Sequence, residues 1–282
     1  MQVFLLKLSN KIQELLFKKT NYLLKVVYEP KKNKFYSEVG GVILDNSLTG
    51  RYLKINSKKK YQNEGELYEF FFRKTAKLNF VDIGSNFGEI SIYIAKKFPQ
   101  TKVLSVEASR TNCSIQKNNI KINNANNVIL ENTIVSNKNG SRYISKDLGS
   151  ENYVSNFKLS NFEKVRSSTL HELLKKNNIN FIDFLKIDIE GYIPFLSEDL
   201  INLNIKKKIN FCMISFEKNS FESYKNILDN FKKNSVIFDI TGMNTIKKIS
   251  HIYLGNKLRK ILPNEYQGKR FSGIEVLFRF CK

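Results

Sequence analysis

The chain has 282 residues, with 47 Lys or Arg against 26 Asp or Glu, a formal charge of +21. Hydrophobic residues make up 41% and there are only 4 prolines, which excludes a collagenous or wholly disordered chain and allows a real core. Of the basic residues 39 are Lys and 8 are Arg, scattered as pairs; bias toward Lys accounts for the charge, and no specific nucleic-acid partner is expected.

Cys113, Cys212 and Cys281 lie far apart, with no CxxC pair and no disulfide framework. No apolar run reaches the ~20 residues of a spanning helix. The N-terminus carries Lys7 within its apolar run and no small-residue cleavage site, so it does not read as a signal peptide. The expected location is cytoplasmic.

Residues 3–27 place Leu5, Leu8, Ile12, Leu15, Leu16, Tyr22, Leu23 and Val26 mostly at helical spacing, with Lys7, Lys11, Lys18 and Lys25 between them. The pattern predicts an amphipathic basic helix ended by Pro30. Such a helix packs on its own domain, or lies on an anionic membrane at the inner face. Residues 33–56 alternate short β-rich runs with Gly40-Gly41 and a turn cluster from Asp45 to Gly50, predicting a hairpin or meander. Residues 1–62 are thus read as an extension, and 63–282 as one domain opening with a helix across residues 65–77.

From residue 79 strands and helices alternate. The predicted strands are 79–84, 102–108, 127–135, 181–188, 209–217, 236–242 and 273–280. Helices are predicted over 88–98, 109–123 and 170–176, and between the fourth, fifth and sixth strands. Residues 136–166 read as polar and irregular. Thr169 and Glu172 stand at capping-box spacing. The pattern predicts a doubly wound, mostly parallel sheet covered on both faces, with the last two strands antiparallel at its edge.

Three motifs carry chemistry. In Phe80-Val-Asp82-Ile-Gly84-Ser85-Asn86-Phe-Gly88, a buried strand ends in an acid, turns on glycine and opens a helix. Ligands of open α/β sheets bind at such turns. Gly84 and Gly88 let a ligand approach the backbone, the helix terminus favours a carboxylate, and Asp82 offers an acceptor to an amine. The methionine part of S-adenosylmethionine has both groups. The spacing is G-x-x-x-G, so the dinucleotide pattern is absent. Glu107 ends the next strand about twenty residues later, where an acid accepts ribose hydroxyls. In Lys186-Ile-Asp188-Ile-Glu190-Gly191, alternation brings Lys186, Asp188 and Glu190 to one face at a strand's carboxyl end.

These runs resemble the FkbM-family methyltransferases, class I S-adenosylmethionine-dependent O-methyltransferases with a Rossmann-like sheet. The family's D-[IV]-G-[AS]-N-x-G is Asp82 to Gly88, and its K-[IV]-D-[IV]-E-G is complete as Lys186 to Gly191. Its acid after the second strand is Glu107, followed by Ala108. Its third-strand segment is Asn132 to Asn137, including Thr133 and Ile134. A fifth-strand acid is Glu217. His171 and Ile193 stand where the family usually has an aspartate and a glutamate.

The resemblance implies that Asp82, Gly84, Ser85, Asn86, Gly88, Glu107, Ala108, Thr133 and Ile134 hold S-adenosyl-L-methionine. It also implies a hydroxyl acceptor, in a glycan or glycolipid precursor. Asp188 is the expected base, with Glu190 and Glu217 as alternatives and Lys186 orienting it. The carboxylates could also hold a divalent metal, but His171 and His251 have no ligand spacing and no metal is expected. Asp-Ile-Glu-Gly replaces the aromatic loop of base-amine methyltransferases. Ribose 2′-O-methylation of RNA is the alternative activity, and a non-catalytic module with the cofactor fold the alternative class.

Overall fold

The change of apolar period at residue 79 is a change of architecture in the computed structural model. The structure describes residues 25–29, 34–39, 42–45, 68, 72, 77–146, 154–189, 192–205, 208–216, 226, 227, 229–231, 235–239 and 274–280. Strands β1 (Lys25–Glu29), β2 (Lys34–Val39) and β3 (Val42–Asp45) form an antiparallel meander. The hairpin expected around Gly40-Gly41 is the β2–β3 pair, with Val39 opposite Val42. The helix expected over residues 3–27 needs correction at its end. Lys25, Val26 and Val27 pair with β2 as strand, because β-branched and aromatic residues in Val26-Val27-Tyr28 favour a pleated surface. Residues 1–24 lie outside the described residues.

Tyr68 is helical and its carbonyl accepts from the Phe72 N–H at 3.0 Å, one turn of the helix expected there. Then follow β4 (Asn79–Ile83), α1 (Glu89–Lys97), β5 (Lys102–Glu107), α2 (Arg110–Ile122) and β6 (Val128–Asn132). A second group comprises β7 (Ile134–Val135), β8 (Gly140–Ser145), β9 (Val154–Ser155), β10 (Phe162–Ser168) and α3 (Leu170–Lys176). The chain continues through β11 (Ile182–Ile187), a 3₁₀ turn (Ile193–Leu196), α4 (Ser197–Ile205), β12 (Ile209–Phe216), β13 (Ser235–Asp239) and β14 (Ile274–Phe280).

The main sheet has the order β13-β14-β12-β11-β4-β5-β6. Pairings from β12 to β6 are parallel, and β14 runs antiparallel to both neighbours. The expected antiparallel pairing of the last two strands is therefore present, with β14 one place inside the edge. Strand alternation gives the sheet a core on each face. Val81, Ile83, Leu185 and Ile187 join Leu170, Leu173 and Leu200 on one side. Phe80, Val103 and Phe184 join Ile90, Ile94, Tyr68 and Phe72 on the other, where Val42 and Leu44 of β3 also pack. The meander is tied on further by Asn123, whose Oδ1 accepts from the Ile43 N–H while its Nδ2 donates to the Ile43 carbonyl.

Residues 136–166 are not irregular: β7, β10, β8 and β9 form a four-stranded sheet. It is held by a small core of Ile134, Ile144, Val165 and Tyr192. In β10 the exposed Lys164 and Arg166 flank the buried Val165, and these outward charges gave it the look of a loop. The single third strand expected over 127–135 divides at Thr133. There Oγ1 donates to the Arg166 carbonyl at 3.0 Å, and the chain passes from the large sheet to the small one. Half of the expected capping box is present: Thr169 Oγ1 accepts from the Glu172 N–H at 3.1 Å, while the Thr169 N–H donates to Asn139 Oδ1 instead of the Glu172 side chain.

Candidate active site

An open cleft of about 600 Å³ lies at the carboxyl ends of the central strands, roofed by the small sheet. It is lined by Ile83, Gly84, Asn86, Val106, Glu107, Ala108, Asn112, Thr133, Ile134, Val135, Ile144, Val154, Asp188, Ile189 and Tyr192. The chain departs in opposite directions from β4, toward β5 on one side and β11 on the other, and such a switch point leaves a crevice.

The turn after β4 holds three residues in the left-handed region, Gly84 (φ 81), Asn86 (φ 53) and Gly88 (φ 84). Two of the three are glycines because that region burdens any side chain with a Cβ. The Gly84 and Ser85 N–H groups both donate to the Val106 carbonyl, at 3.0 and 3.1 Å. A Cβ on Gly88 would fall 2.6 Å from Gln116 Cγ. Both constraints fasten the turn to β5 and α2.

Glu107 is the more buried of the two acids that line the cleft, 7% exposed. Its Oε2 accepts from the Asn86 N–H and its Oε1 from the Ser109 N–H, each at 2.8 Å. Burial pushes its carboxyl up to about 7. The two backbone N–H groups and the Asn112 amide pull it down, while the Asp82 charge raises it further. Ser109 also caps α2, accepting from the Asn112 N–H. This cap turns Asn112 toward the cleft, where its Nδ2 donates to Asn86 Oδ1 at 3.2 Å.

Lys186 and Asp82 are register partners on adjacent parallel strands, so their side chains share one face. Lys186 Nζ lies 3.5 Å from Asp82 Oδ1 and 3.4 Å from Asp188 Oδ2. The side chains of Lys186 and Asp82 are 5% and 0% exposed, that of Asp188 37%. Asp188 therefore meets the cleft and the other two stand behind it.

The predicted residues divide accordingly. Gly84, Asn86, Glu107, Ala108, Thr133, Ile134 and Asp188 converge on the cleft. Asp82, Ser85, Gly88 and Lys186 do not line it; Ser85 instead donates to Gln116 Oε1 at 3.0 Å. Asp82 pairs with Ser105 and Lys186, each two residues short of the cleft acids Glu107 and Asp188, so it shares their face but lies one step deeper and fully buried. Glu190 and Glu217 lie outside the described residues. Sequence reasoning missed Ile83, Val106, Asn112, Val135, Ile144, Val154, Ile189 and Tyr192. The signal for Asn112 was its place three residues after Ser109, in the first turn beside Glu107. The others are single apolar or aromatic residues at strand ends, in the small sheet or shortly after Asp188, and carry no motif.

A seven-stranded sheet with one inserted antiparallel strand and an acid-lined cleft over the glycine turn defines a class I methyltransferase. The chain matches the methyltransferase FkbM domain over residues 82–262 and belongs to that family. No curated protein matches it. Among solved structures it is similar to precorrin-6y C5,15-methyltransferase from Geobacter metallireducens, at 8% identity and TM-score 0.42, covering 84% of this chain and 94% of that one. TYW2 from M. jannaschii, in complex with AdoMet, is similar at 12% identity and TM-score 0.42, covering 92% and 94%. The N-terminal domain of human METTL16, in complex with SAH, is similar at 12% identity and TM-score 0.42, covering 81% and 71%.

The chain is an S-adenosylmethionine-dependent methyltransferase, and the donor set fits that cofactor. Glu107 presents a fixed carboxylate to the cleft, suited to a ribose diol. Ala108, Ile134 and Val135 give an apolar wall suited to a base, and Gly84 leaves room for a ligand close to the backbone of the turn.

Proposed function

We propose that this methyltransferase acts on a hydroxyl, in a sugar of a glycan or glycolipid precursor. The observation that carries the reading is the Asp188 carboxylate on the cleft wall, with Lys186 Nζ 3.4 Å behind it. S-adenosylmethionine supplies an electrophilic methyl on a sulfonium. Glu107 would accept its ribose hydroxyls, with Asn112 and the Asn86 N–H holding that carboxylate in place. Asp188 would take the proton of the acceptor hydroxyl, and Lys186 would keep the carboxylate aimed. A sugar hydroxyl is a weak nucleophile, so this proton transfer contributes roughly 10²–10⁴-fold. The family membership supports the acceptor class, as does the Asp188-Ile-Glu190-Gly191 run in place of an aromatic amine-binding loop. Residues 1–24, with Lys7, Lys11 and Lys18 along a leucine stripe, bring the enzyme to anionic membrane where glycolipid acceptors reside.

The test is release of S-adenosylhomocysteine during incubation with glycans, glycolipids and RNA. Turnover on a sugar hydroxyl, abolished in Asp188→Asn with cofactor affinity retained, is expected. Turnover on RNA alone moves the enzyme to ribose methylation, and equal loss of turnover and cofactor affinity makes Asp188 a cofactor ligand.

A further inference from the structure

We infer that Asp82 is a positioning residue for the reaction, the counter-ion that holds Lys186 against Asp188, and not a ligand of the cofactor's amine. The inference rests on Asp188 being the base. Asp82 is fully buried and absent from the cleft wall. Its Oδ2 accepts from the Ser91 hydroxyl at 2.7 Å. Among the described residues its Oδ1 makes no hydrogen bond, and it forms an ion pair with Lys186 Nζ at 3.5 Å.

A buried ammonium and carboxylate each lose hydration that only a partner replaces, so the pair constrains both side chains strongly. Lys186 is rooted in β11 between the apolar Phe184 on its own face and Met213, its register partner on β12. Asp82 holds Nζ where it also reaches Asp188.

The pair continues into the glycine turn. Ser91 Oγ lies 2.8 Å from Ser105 Oγ, Ser105 accepts from Gln116 Nε2, and Gln116 Oε1 accepts from Ser85. Ser91, Ser105 and Gln116 are fully buried. A continuous polar chain thus runs from the turn that faces the cofactor, beneath the cleft, to the carboxylate that faces the acceptor. Gln116 is its keystone, because it also fills the space that Gly88 leaves. The geometry aligns Asp188 relative to the turn by way of fixed groups, the preorganisation that an in-line displacement requires.

The experiment measures cofactor affinity by calorimetry and kcat at saturating cofactor for Asp82→Asn, Lys186→Met, the double variant and Asp188→Asn. Asn preserves the shape of Asp82 and its contact with Ser91 but removes the charge. Expected is a fall in kcat of roughly 10²-fold for each single variant, with cofactor affinity changed less than threefold. The double variant should be no slower than the worse single, since both interrupt one device. It removes both buried charges together, so it folds even if a single variant leaves an unpaired charge and does not. A tenfold or greater loss of cofactor affinity in Asp82→Asn, with kcat intact, would make Asp82 the amine ligand and overturn the inference. Wild-type kcat in Asp82→Asn beside an inactive Asp188→Asn removes the positioning role alone. Wild-type kcat in Asp188→Asn removes the base, and the inference with it.

Discussion

A Cβ built on Gly84 would lie 2.0 Å from the Asp188 carbonyl oxygen, 2.8 Å from its carbonyl carbon and 2.9 Å from Ile189 Cγ2. The cofactor turn and the end of β11 therefore touch backbone to backbone, and the Asp188 N–H completes the join by donating to the Ile83 carbonyl at 2.9 Å. Gly84 lines the cleft, and its missing side chain also admits the backbone of Asp188.

Gly84→Ala should accordingly damage both stability and turnover. Alanine meets backbone atoms that cannot rotate away, at a φ of 81 that already disfavours it. A loss of about 2–4 kcal/mol in urea unfolding is expected. Gly140→Ala is the control: its φ is 145, but the nearest atom to a new Cβ is Ser167 Oγ at 3.9 Å. Only the backbone strain of about 1–2 kcal/mol should appear there, with turnover unchanged. Equal effects at the two glycines would mean that contact with Asp188 is unimportant.

Glu107 sets a pH dependence whose sign can be worked out. Burial lifts its carboxyl from the ordinary 4.5 to about 7. Between those values the folded chain keeps a proton that the unfolded chain releases, so this group's contribution to stability falls as pH rises and is fully lost above about 7. The total is of order 3 kcal/mol. Ribose hydroxyls donate to the ionised form, so cofactor binding should tighten as pH rises through about 7. Glu107→Gln should flatten that rise, weaken binding and stabilise the protein above neutrality. Calorimetry between about pH 6 and 8, with parallel denaturation curves, reads all three. Affinity that does not change over this range would take Glu107 out of the ribose site.

Asn112→Ala tests the residue that sequence reasoning missed. Its amide donates to Asn86 Oδ1 at 3.2 Å and approaches Glu107 Oε1 at 3.5 Å, linking the turn to the acid. Loss of those contacts should weaken cofactor binding roughly fivefold, the equivalent of about 1 kcal/mol. The Asn112 amide also lowers the Glu107 carboxyl, so the pH midpoint of binding should move upward. A shift downward would show that Asn112 does not favour the ionised form.

The sheet and the acids were legible because both rest on local pattern. Val81, Ile83, Leu185 and Ile187 form apolar runs that can only be buried strands, and Glu107 and Asp188 stand where such runs end. Depth was less legible. Asp82 sits near a strand end as Glu107 does, yet its register with Ser105 and Lys186 sets it one step below Glu107 and Asp188 and buries it; register is a property of separate segments, Asp82 and Lys186 being 104 residues apart by their numbering. The small sheet was invisible for a related reason. Ile144 and Val165 share their core with Tyr192, far along the chain. No short window around either residue shows that contact.

The charge yields the last prediction. If +21 reflects the abundance of Lys, RNA binding should be weak, indifferent to sequence and steeply reduced between low and physiological salt, since it rests on counterion release. Membrane association should instead depend on residues 1–24. Lys25 belongs to β1, whose five residues pair with β2, so the deletion must stop short of it or a sheet is lost. Lys7, Lys11 and Lys18 each contribute about 1 kcal/mol near an anionic surface, and the leucine stripe adds apolar burial. Removing residues 1–24 should therefore abolish sedimentation with phosphatidylserine-containing vesicles and leave methyl transfer to a soluble acceptor unchanged. Loss of cofactor binding in the truncated chain would instead make the segment part of the fold. A salt-resistant complex with one RNA sequence would displace the glycan acceptor in favour of a ribose hydroxyl.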